Sequence, residues 1–128
     1  MKLNLTPDCG NAPKKELIKN LTIHFASYDL KKAMPYLADQ VTWTLVGEAP
    51  IVGKQNFREA LEAMSGNKAS ELTIHTIITH GKEAAVKGEM LMQDGSSFGF
   101  ADFYVFTSAK GQLVKSIVSY VIAKGNSI

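Results

Sequence analysis

The spacing of hydrophobic and polar positions changes about halfway along the chain. In the first half, apolar side chains recur at intervals of three and four residues, which predicts helices. The first helix begins near Ala12, because Pro13 suits the first helical turn, and the last covers about Lys54 to Met64. From Glu71 onward, apolar and polar residues alternate, which predicts strands. Helices followed by a strand meander are typical of an α+β domain with an antiparallel sheet.

Turn signals and local alternation define the remaining elements. Asp29 is a predicted N-cap of a short helix that Pro35 disturbs. Residues 1–11 lack periodicity and predict a flexible N-terminal arm, which precedes a single domain over residues 12–128. The predicted strands are Val41–Leu45, Leu72–Thr79, Ala84–Gln93, Phe98–Phe106 and Leu113–Ala123.

One acidic residue stands in the most apolar of these strands. Phe98, Phe100, Asp102, Tyr104 and Phe106 alternate along the strand and therefore share one face. A carboxylate there is costly unless it is paired, hydrogen-bonded or protonated, and enzymes use this cost to tune acids and bases. Asp102 is therefore the first candidate catalytic residue. A structural role, in which it pairs with a lysine or caps a backbone group, is the alternative.

Composition and charge narrow the class of protein. The chain has 128 residues, 45% of them hydrophobic, which suits one globular domain. Its 14 basic and 12 acidic side chains are dispersed along the chain, which argues against a nucleic-acid partner. No apolar stretch is long enough for a membrane span and the N-terminus lacks a signal sequence, so we expect a soluble, cytoplasmic protein that binds no membrane.

Metal and cofactor motifs do not emerge from the sequence. Cys9 is the only cysteine, which excludes an internal disulfide and a multi-cysteine metal site. His75 and His80 are five residues apart in one strand, so alternation predicts that they face opposite sides and form no two-histidine metal site. Gly53-Lys54 lacks the other residues of a phosphate loop. We therefore expect neither a metal nor a cofactor.

Five segments of the chain carry a resemblance to a known family: Phe25 to Leu30, Leu37 to Trp43, Gly53-Lys54, Asp102 to Phe106 and Gly111 to Leu113. The order of the predicted elements resembles that of the nuclear transport factor 2-like (NTF2-like) superfamily, and these segments resemble its SnoaL-like branch, which includes polyketide cyclases and ketosteroid isomerases. The resemblance implies a cone-shaped, curved sheet wrapped around three N-terminal helices, with an apolar pocket at its wide end.

The resemblance also implies roles for particular positions. Asp102 matches the acid on the meander that, in the isomerases, helps to hold the enolate oxygen. The tyrosine on the first helix and the aspartate that moves the proton fall near Leu21 and Leu45, neither of which is ionisable. Because leucine cannot act as a base, an isomerase mechanism copied intact is not expected. Tyr28 is the candidate to replace the missing donor.

The expected pocket combines this resemblance with the alternation of the strands. Tyr104 shares the face of Asp102 and is a second candidate catalytic residue, with core packing as the alternative. Trp43 is the only tryptophan, and its two interpretations are core packing and stacking on a flat ligand. The residues expected to bind the ligand are Trp43, Leu45, Leu21, Phe25, Phe100 and Met90.

These observations predict a pocket protein for a small, apolar, carbonyl-containing molecule. One hypothesis is an isomerase, cyclase or hydratase in which Asp102 acts as acid, base or hydrogen-bond donor, assisted by Tyr104 or Tyr28. The alternatives are a non-catalytic ligand-binding or dimerisation module, and an interaction domain for another protein. We also expect a homodimer formed through the outer face of the sheet, with Phe103, Val105, Ile117 and Val121 on that face.

Overall fold

The computed structural model describes residues 1–6 and 12–125. These residues form three helices and seven strands. A short 3-10 segment follows the second helix. The elements are β1 (Lys2–Leu5), α1 (Pro13–Ala26), α2 (Leu30–Ala33), the 3-10 segment (Met34–Tyr36), β2 (Leu37–Leu45), β3 (Ile51–Val52), α3 (Lys54–Met64), β4 (Ala69–His80), β5 (Glu83–Met92), β6 (Ser97–Phe106) and β7 (Val114–Ala123).

All seven strands belong to one curved, mixed sheet that does not close into a barrel. The strand order is β1-β4-β5-β6-β7-β2-β3. Strands β4 to β7 form the predicted antiparallel meander, whereas β1 pairs parallel with β4 and β2 pairs parallel with β7. The predicted α+β class and the curved sheet around N-terminal helices are thus confirmed.

Helix α1 packs its apolar stripe onto the inner face of this sheet. Leu17, Ile18 and Leu21 are buried on the stripe that the 3.6-residue period predicts. Facing side chains from the strands, such as Leu72 and Val86, complete a single core. Asp29 caps α2 as predicted, since its carboxylate accepts a hydrogen bond from the backbone N–H of Lys32 at 3.3 Å.

The sheet bends where β4 and β5 pair. The register of the two strands shifts between Ile74 and Thr76, which marks a bulge. Next to this bulge lies Gly88, where an added Cβ would lie 2.0 Å from the carbonyl oxygen of Thr73 and 3.0 Å from Cζ of Phe100. Only glycine fits at this position, and the Phe100 ring covers it on the inner face.

The same bulge corrects one prediction about the histidines. Because Ile74 and Ile77 both point into the core, the alternation of β4 skips a step between them. His75 and His80 therefore lie on the same, outer face of the sheet and not on opposite faces. His75 contacts the carboxylate of Glu89 there at 3.1 Å.

The N-terminal segment also differs from its prediction. Lys2–Leu5 form a strand where the sequence indicates a flexible arm. The edge of β4 supplies the partner that a local pattern cannot reveal, and Asn4 donates hydrogen bonds to Glu71 and Thr73, each at 3.1 Å. The rest of the predicted arm, residues 7–11 with Cys9, lies outside the described residues.

A lysine closes one end of the fold. The ammonium group of Lys14, at the start of α1, donates hydrogen bonds to the carbonyl oxygens of Gly81, Ser108 and Ala109. It also lies 4.6 Å from the centre of the Phe106 ring. These contacts tie α1 to the turns between β4 and β5 and between β6 and β7, so the helix covers the sheet at this end.

The outer face of β7 is shifted by one residue from its prediction. Ile117 pairs with Tyr104 and Val121 pairs with Phe100, so both point to the inner face. The outer positions of β7 are instead Val118, Tyr120 and Ile122. Phe103 and Val105 lie on the outer face as predicted.

Candidate functional site

A cavity of about 260 Å³ lies between the helices and the inner face of the sheet. Its walls come from α1, α3, β2, β5, β6 and β7, and they are mainly apolar. Met64 and Val121, each 42% exposed, mark its mouth, whereas Thr22 and Tyr104 are buried and mark its floor. The polar groups of the lining belong to Thr22, Tyr28, Trp43, Asp102, Tyr104 and Ser119.

The predicted site residues gather around this cavity with one exception. Leu21 does not line it, because its side chain is fully buried in the core. The eight that line the cavity are Tyr28, Phe25, Trp43, Leu45, Met90, Phe100, Asp102 and Tyr104.

Asp102 lies in the middle of β6 and points to the inner face. Its partner across the antiparallel pair is Ser119 of β7, and the Ser119 hydroxyl group beside it lowers the pKa of the carboxyl group. The indole Nε1 of Trp43, on β2, donates a hydrogen bond to the Ser119 oxygen at 3.0 Å. Three neighbouring strands thus contribute one continuous chain of polar groups to an apolar wall.

The environment of Asp102 favours its neutral form. Burial raises the pKa of its carboxyl group to about 6, against the smaller, opposing effect of the hydrogen bond from Ser119. None of the ion pairs among residues 1–6 and 12–125 involves Asp102. The described contacts therefore do not include the lysine pair that was the structural alternative.

Tyr104 carries a hydroxyl group without a hydrogen-bond partner. Its side chain is 1% exposed, and its hydroxyl oxygen is buried. Burial and the nearby charge of Asp102 raise the pKa of Tyr104, while the neighbouring Thr22 hydroxyl opposes this effect. Thr22 itself donates to the carbonyl oxygen of Ile18 at 2.8 Å. A buried polar group in this condition costs about 1 to 3 kcal/mol.

Tyr28 reaches the cavity from a strained turn. It has a φ of 54°, in the left-handed region where glycine is the usual residue. The turn ends α1 with two hydrogen bonds, from Tyr28 N–H to Phe25 at 3.1 Å and from Asp29 N–H to His24 at 2.8 Å. Burial raises the pKa of Tyr28, which keeps its phenol protonated. Backbone strain of this kind is frequent where a side chain has a functional position.

Sequence reasoning missed Ser119 and Thr22. Ser119 stands between Ile117 and Val121 in the alternation of β7, so the correct face of that strand would have placed it opposite Asp102. Thr22 lies on the apolar stripe of α1 beside Leu21. A polar residue inside an apolar stripe was the available signal in both cases.

The described ranges contain neither a metal-binding cluster nor a membrane-spanning helix. In residues 1–6 and 12–125, no cluster of three or more His, Cys, Asp or Glu side chains is arranged to hold a metal ion. No helix in these ranges has the length and apolar character needed to cross a membrane.

Several solved structures share this architecture. An NTF2-like protein of unknown function from Cytophaga hutchinsonii is 21% identical, with a TM-score of 0.66 over 84% of this chain and 98% of that one. A candidate ketosteroid isomerase from Kribbella flavida is 14% identical, with a TM-score of 0.70 over 89% and 81% of the two chains. The epoxide hydrolase/cyclase-like enzyme SalBIII, described in pyran ring formation in the polyether salinomycin, is 15% identical, with a TM-score of 0.69 over 85% and 90%.

Comparison at the level of sequence is more selective. No curated protein has a significantly similar sequence. The SnoaL-like domain family, by contrast, matches residues 19–116, which include the C-terminal part of α1, all of α3 and the strands that carry Trp43 and Asp102. The match covers more than half of the chain, and the chain therefore belongs to the SnoaL-like domain family.

Proposed function

We propose that this protein binds a small, largely apolar molecule with a carbonyl group and acts on it as an isomerase, cyclase or hydratase. The observation that carries the proposal is the Asp102 carboxyl group, which lines an apolar cavity and has no cationic partner among the described residues. Such a carboxyl group is suited to proton transfer because it is removed from bulk water and no cation holds it in the ionised form.

The pKa of Asp102 suits both halves of a proton transfer. At about 6, it leaves the group mostly ionised at neutral pH and able to take a proton from a carbon next to a carbonyl group. The electrons of that C–H bond form a C=C bond while the C=O π electrons move to the oxygen. The protonated Asp102 then returns the proton to the same carbon or, where a C=C bond extends the enolate, to the far carbon of that bond. Tyr28, whose raised pKa keeps it protonated, is the candidate donor to the oxygen.

The size of the cavity supports a small substrate. Pockets for drug-sized ligands have volumes of roughly 300 to 1,000 Å³, and this cavity of about 260 Å³ lies just below that range. The methionines of its wall, Met64, Met90 and Met92, are flexible and adapt to ligands of different shape. A molecule of one or two fused rings with a single oxygen suits these dimensions.

A non-catalytic ligand-binding module is the second candidate. Asp102 is the only carboxyl group among the described lining residues, and Leu45 stands where the resemblance expects a proton-moving aspartate. A single carboxyl group is sufficient to anchor a ligand oxygen by a hydrogen bond. Binding without turnover would therefore favour this alternative.

Binding of 2-tetralone, a bicyclic ketone, tests the proposal directly. Trp43 is the only tryptophan and lines the cavity, so its fluorescence reports an occupied site. We expect 2-tetralone to bind more tightly than tetralin, the same bicycle without oxygen. Its affinity should fall as the pH rises through 6, because only protonated Asp102 donates to the ketone oxygen. In the Asp102→Asn variant, the pH dependence should disappear.

Deuterium incorporation separates the two candidates. In D₂O, ionised Asp102 should exchange the protons of 2-tetralone next to the carbonyl group, so the exchange rate should rise with pH while the affinity falls. The Asp102→Asn variant should lose about 10²- to 10⁴-fold of this rate. Equal rates in the two proteins would remove Asp102 from catalysis and leave the binding module. Equal binding of 2-tetralone and tetralin at every pH would contradict both candidates.

A further inference from the structure

The hydrogen bonds between Trp43, Ser119 and Asp102 have a fixed direction. An indole N–H is only a donor, so at 3.0 Å from Trp43 Nε1 the Ser119 oxygen must be the acceptor. The single hydroxyl proton of Ser119 is then left for Asp102, the acceptor that the pairing of β6 with β7 places directly beside it. The three groups therefore form a relay that runs in one direction, from the indole to the carboxyl group.

The relay lies in a setting with few competing groups. Ser119 is 6% exposed, so water has little access to its hydroxyl group. The other titratable side chains that line the cavity are Tyr104, two residues from Asp102 on the same face of β6, and Tyr28 at the end of α1. The parts of α1, α3, β2 and β5 that line the cavity contribute uncharged side chains, among them Thr22 and Phe57. Among the described lining residues, Asp102 is the only one with a charged side chain, so no neighbouring charge reorients its carboxyl group.

The relay makes the two oxygens of Asp102 unequal. The oxygen that accepts the Ser119 proton is less basic, so a proton that adds to the carboxyl group prefers the other oxygen. We propose that Trp43 and Ser119 are positioning residues, which hold the Asp102 carboxyl group in one orientation and assign its proton to the oxygen that faces the cavity. The role of this oxygen toward a ligand rests on the proposed function, whereas the relay itself does not.

Nuclear magnetic resonance tests the relay without a ligand. The single tryptophan gives one indole N–H resonance, and its shift should change with the same midpoint as the ¹³C resonance of the Asp102 carboxyl group. Asp102→Asn assigns that carboxyl resonance. In Ser119→Ala, the indole titration should disappear and the Asp102 midpoint should rise by about one pH unit, because a bond that stabilises the carboxylate is lost.

Three further variants make the test specific. Ser119→Thr keeps the hydroxyl group and should restore both titrations. Trp43→Phe keeps an aromatic ring but removes the donor, so the Asp102 midpoint should rise in the same direction as in Ser119→Ala, by a smaller amount. Ser116→Ala is the matched control on β7, since Ser116 pairs with Val105 on the outer face and should leave both titrations unchanged. Trp43→Phe also decides the question if Ser119→Ala does not fold.

Catalysis of deuterium exchange into 2-tetralone supplies the functional arm. A misoriented carboxyl group should lower kcat on the order of tenfold to a hundredfold in Ser119→Ala, with little change in KM. An indole resonance that does not titrate in the parent protein, or an Asp102 midpoint unchanged in both Ser119→Ala and Trp43→Phe, would overturn the relay. If the relay titrates as expected and 2-tetralone does not bind, the proposed function fails while the positioning role stands.

Discussion

At the scale of single residues, the Asp102 carboxyl group couples function to stability. Its pKa is raised to about 6 in the folded protein from an ordinary value of 3.8. Between these values the unfolded chain has lost the proton that the folded chain keeps. Folding stability contributed by this group therefore falls as the pH rises from about 4 to 6, and the loss is constant above that window.

The Asp102→Asn variant should avoid this loss. We expect its free energy of unfolding to match that of the parent near pH 4 and to exceed it by up to about 3 kcal/mol above pH 6.5. Urea denaturation at several pH values gives this difference. Asp39→Asn, at an exposed position on β2, is the control for the loss of one carboxyl group. An Asp102→Asn protein that is less stable at neutral pH would show that the charge is compensated.

The Tyr104 hydroxyl group should likewise contribute nothing to the stability of the fold. Replacement with phenylalanine removes a buried hydroxyl group that has no hydrogen-bond partner and keeps the ring. We expect the free energy of unfolding to stay the same or to rise by about 1 kcal/mol. Tyr104→Ala, which leaves a void, should instead cost about 3 to 5 kcal/mol. A loss of more than 1 kcal/mol in Tyr104→Phe would reveal a hydrogen bond in solution, with Thr22 as the candidate partner.

At the scale of elements, the close pairing of β4 with β5 depends on one glycine. In Gly88→Ala, the added Cβ would collide with the backbone of Thr73 and with the Phe100 ring. Overpacking of this kind costs about 1 to 3 kcal/mol, and backbone cannot yield as a flexible side chain does. Chemical denaturation should show that loss. Gly99→Ala, where nothing lies within 4 Å, is the matched control in β6 and should cost little.

The elements also show what the sequence predicts well and what it does not. Helix α3 has the predicted bounds, and β6 presents Asp102 on the predicted face, because both follow from an uninterrupted local period. A local period does not reveal where β7 joins its neighbours or where β4 carries a bulge. For that reason two predictions were wrong, that Ile117 lies on the outer face and that His75 and His80 lie on opposite faces, although their strands were correctly predicted.

Pairing with distant parts of the chain explains the other differences. β1 exists because the edge of β4 offers hydrogen bonds, and the two-residue β3 exists because β2 does. The relay joins β2 to the much later strands β6 and β7, and Trp43 and Ser119 are separated by 76 positions. The candidate site was thus predictable as far as Asp102 and its aromatic neighbours, while its partner Ser119 also required the correct face of β7.

At the scale of the whole molecule, the outer face of the sheet remains without a covering layer in the described residues. Ile78, Ala85, Phe103 and Val118 form a row across four strands. Phe103 also contacts Tyr120 edge to face, with ring centres 5.9 Å apart, and Phe103 is 49% exposed. We propose that this face pairs with that of a second copy, because an exposed apolar surface of this kind is unusual for a monomer.

A charged substitution tests the homodimer. We expect sedimentation at micromolar concentration to show a dimer for the parent protein and a monomer for Phe103→Lys, since burying an unpaired charge opposes association. Val52→Lys adds the same charge on β3, at the far edge of the sheet, and should remain a dimer. A parent protein that sediments as a monomer would contradict the proposal.

The cavity is open beside Met64 and Val121 and sealed behind Tyr104, while Lys14 fastens the opposite end of the fold. A ligand of the proposed kind should therefore enter beside Met64 and Val121 with its oxygen leading. Length added to its trailing end should project into solvent and be tolerated, whereas bulk beside the oxygen should collide with the buried wall of the cavity. The protein should thus discriminate between ligands by the groups next to their oxygen and tolerate variation at the opposite end.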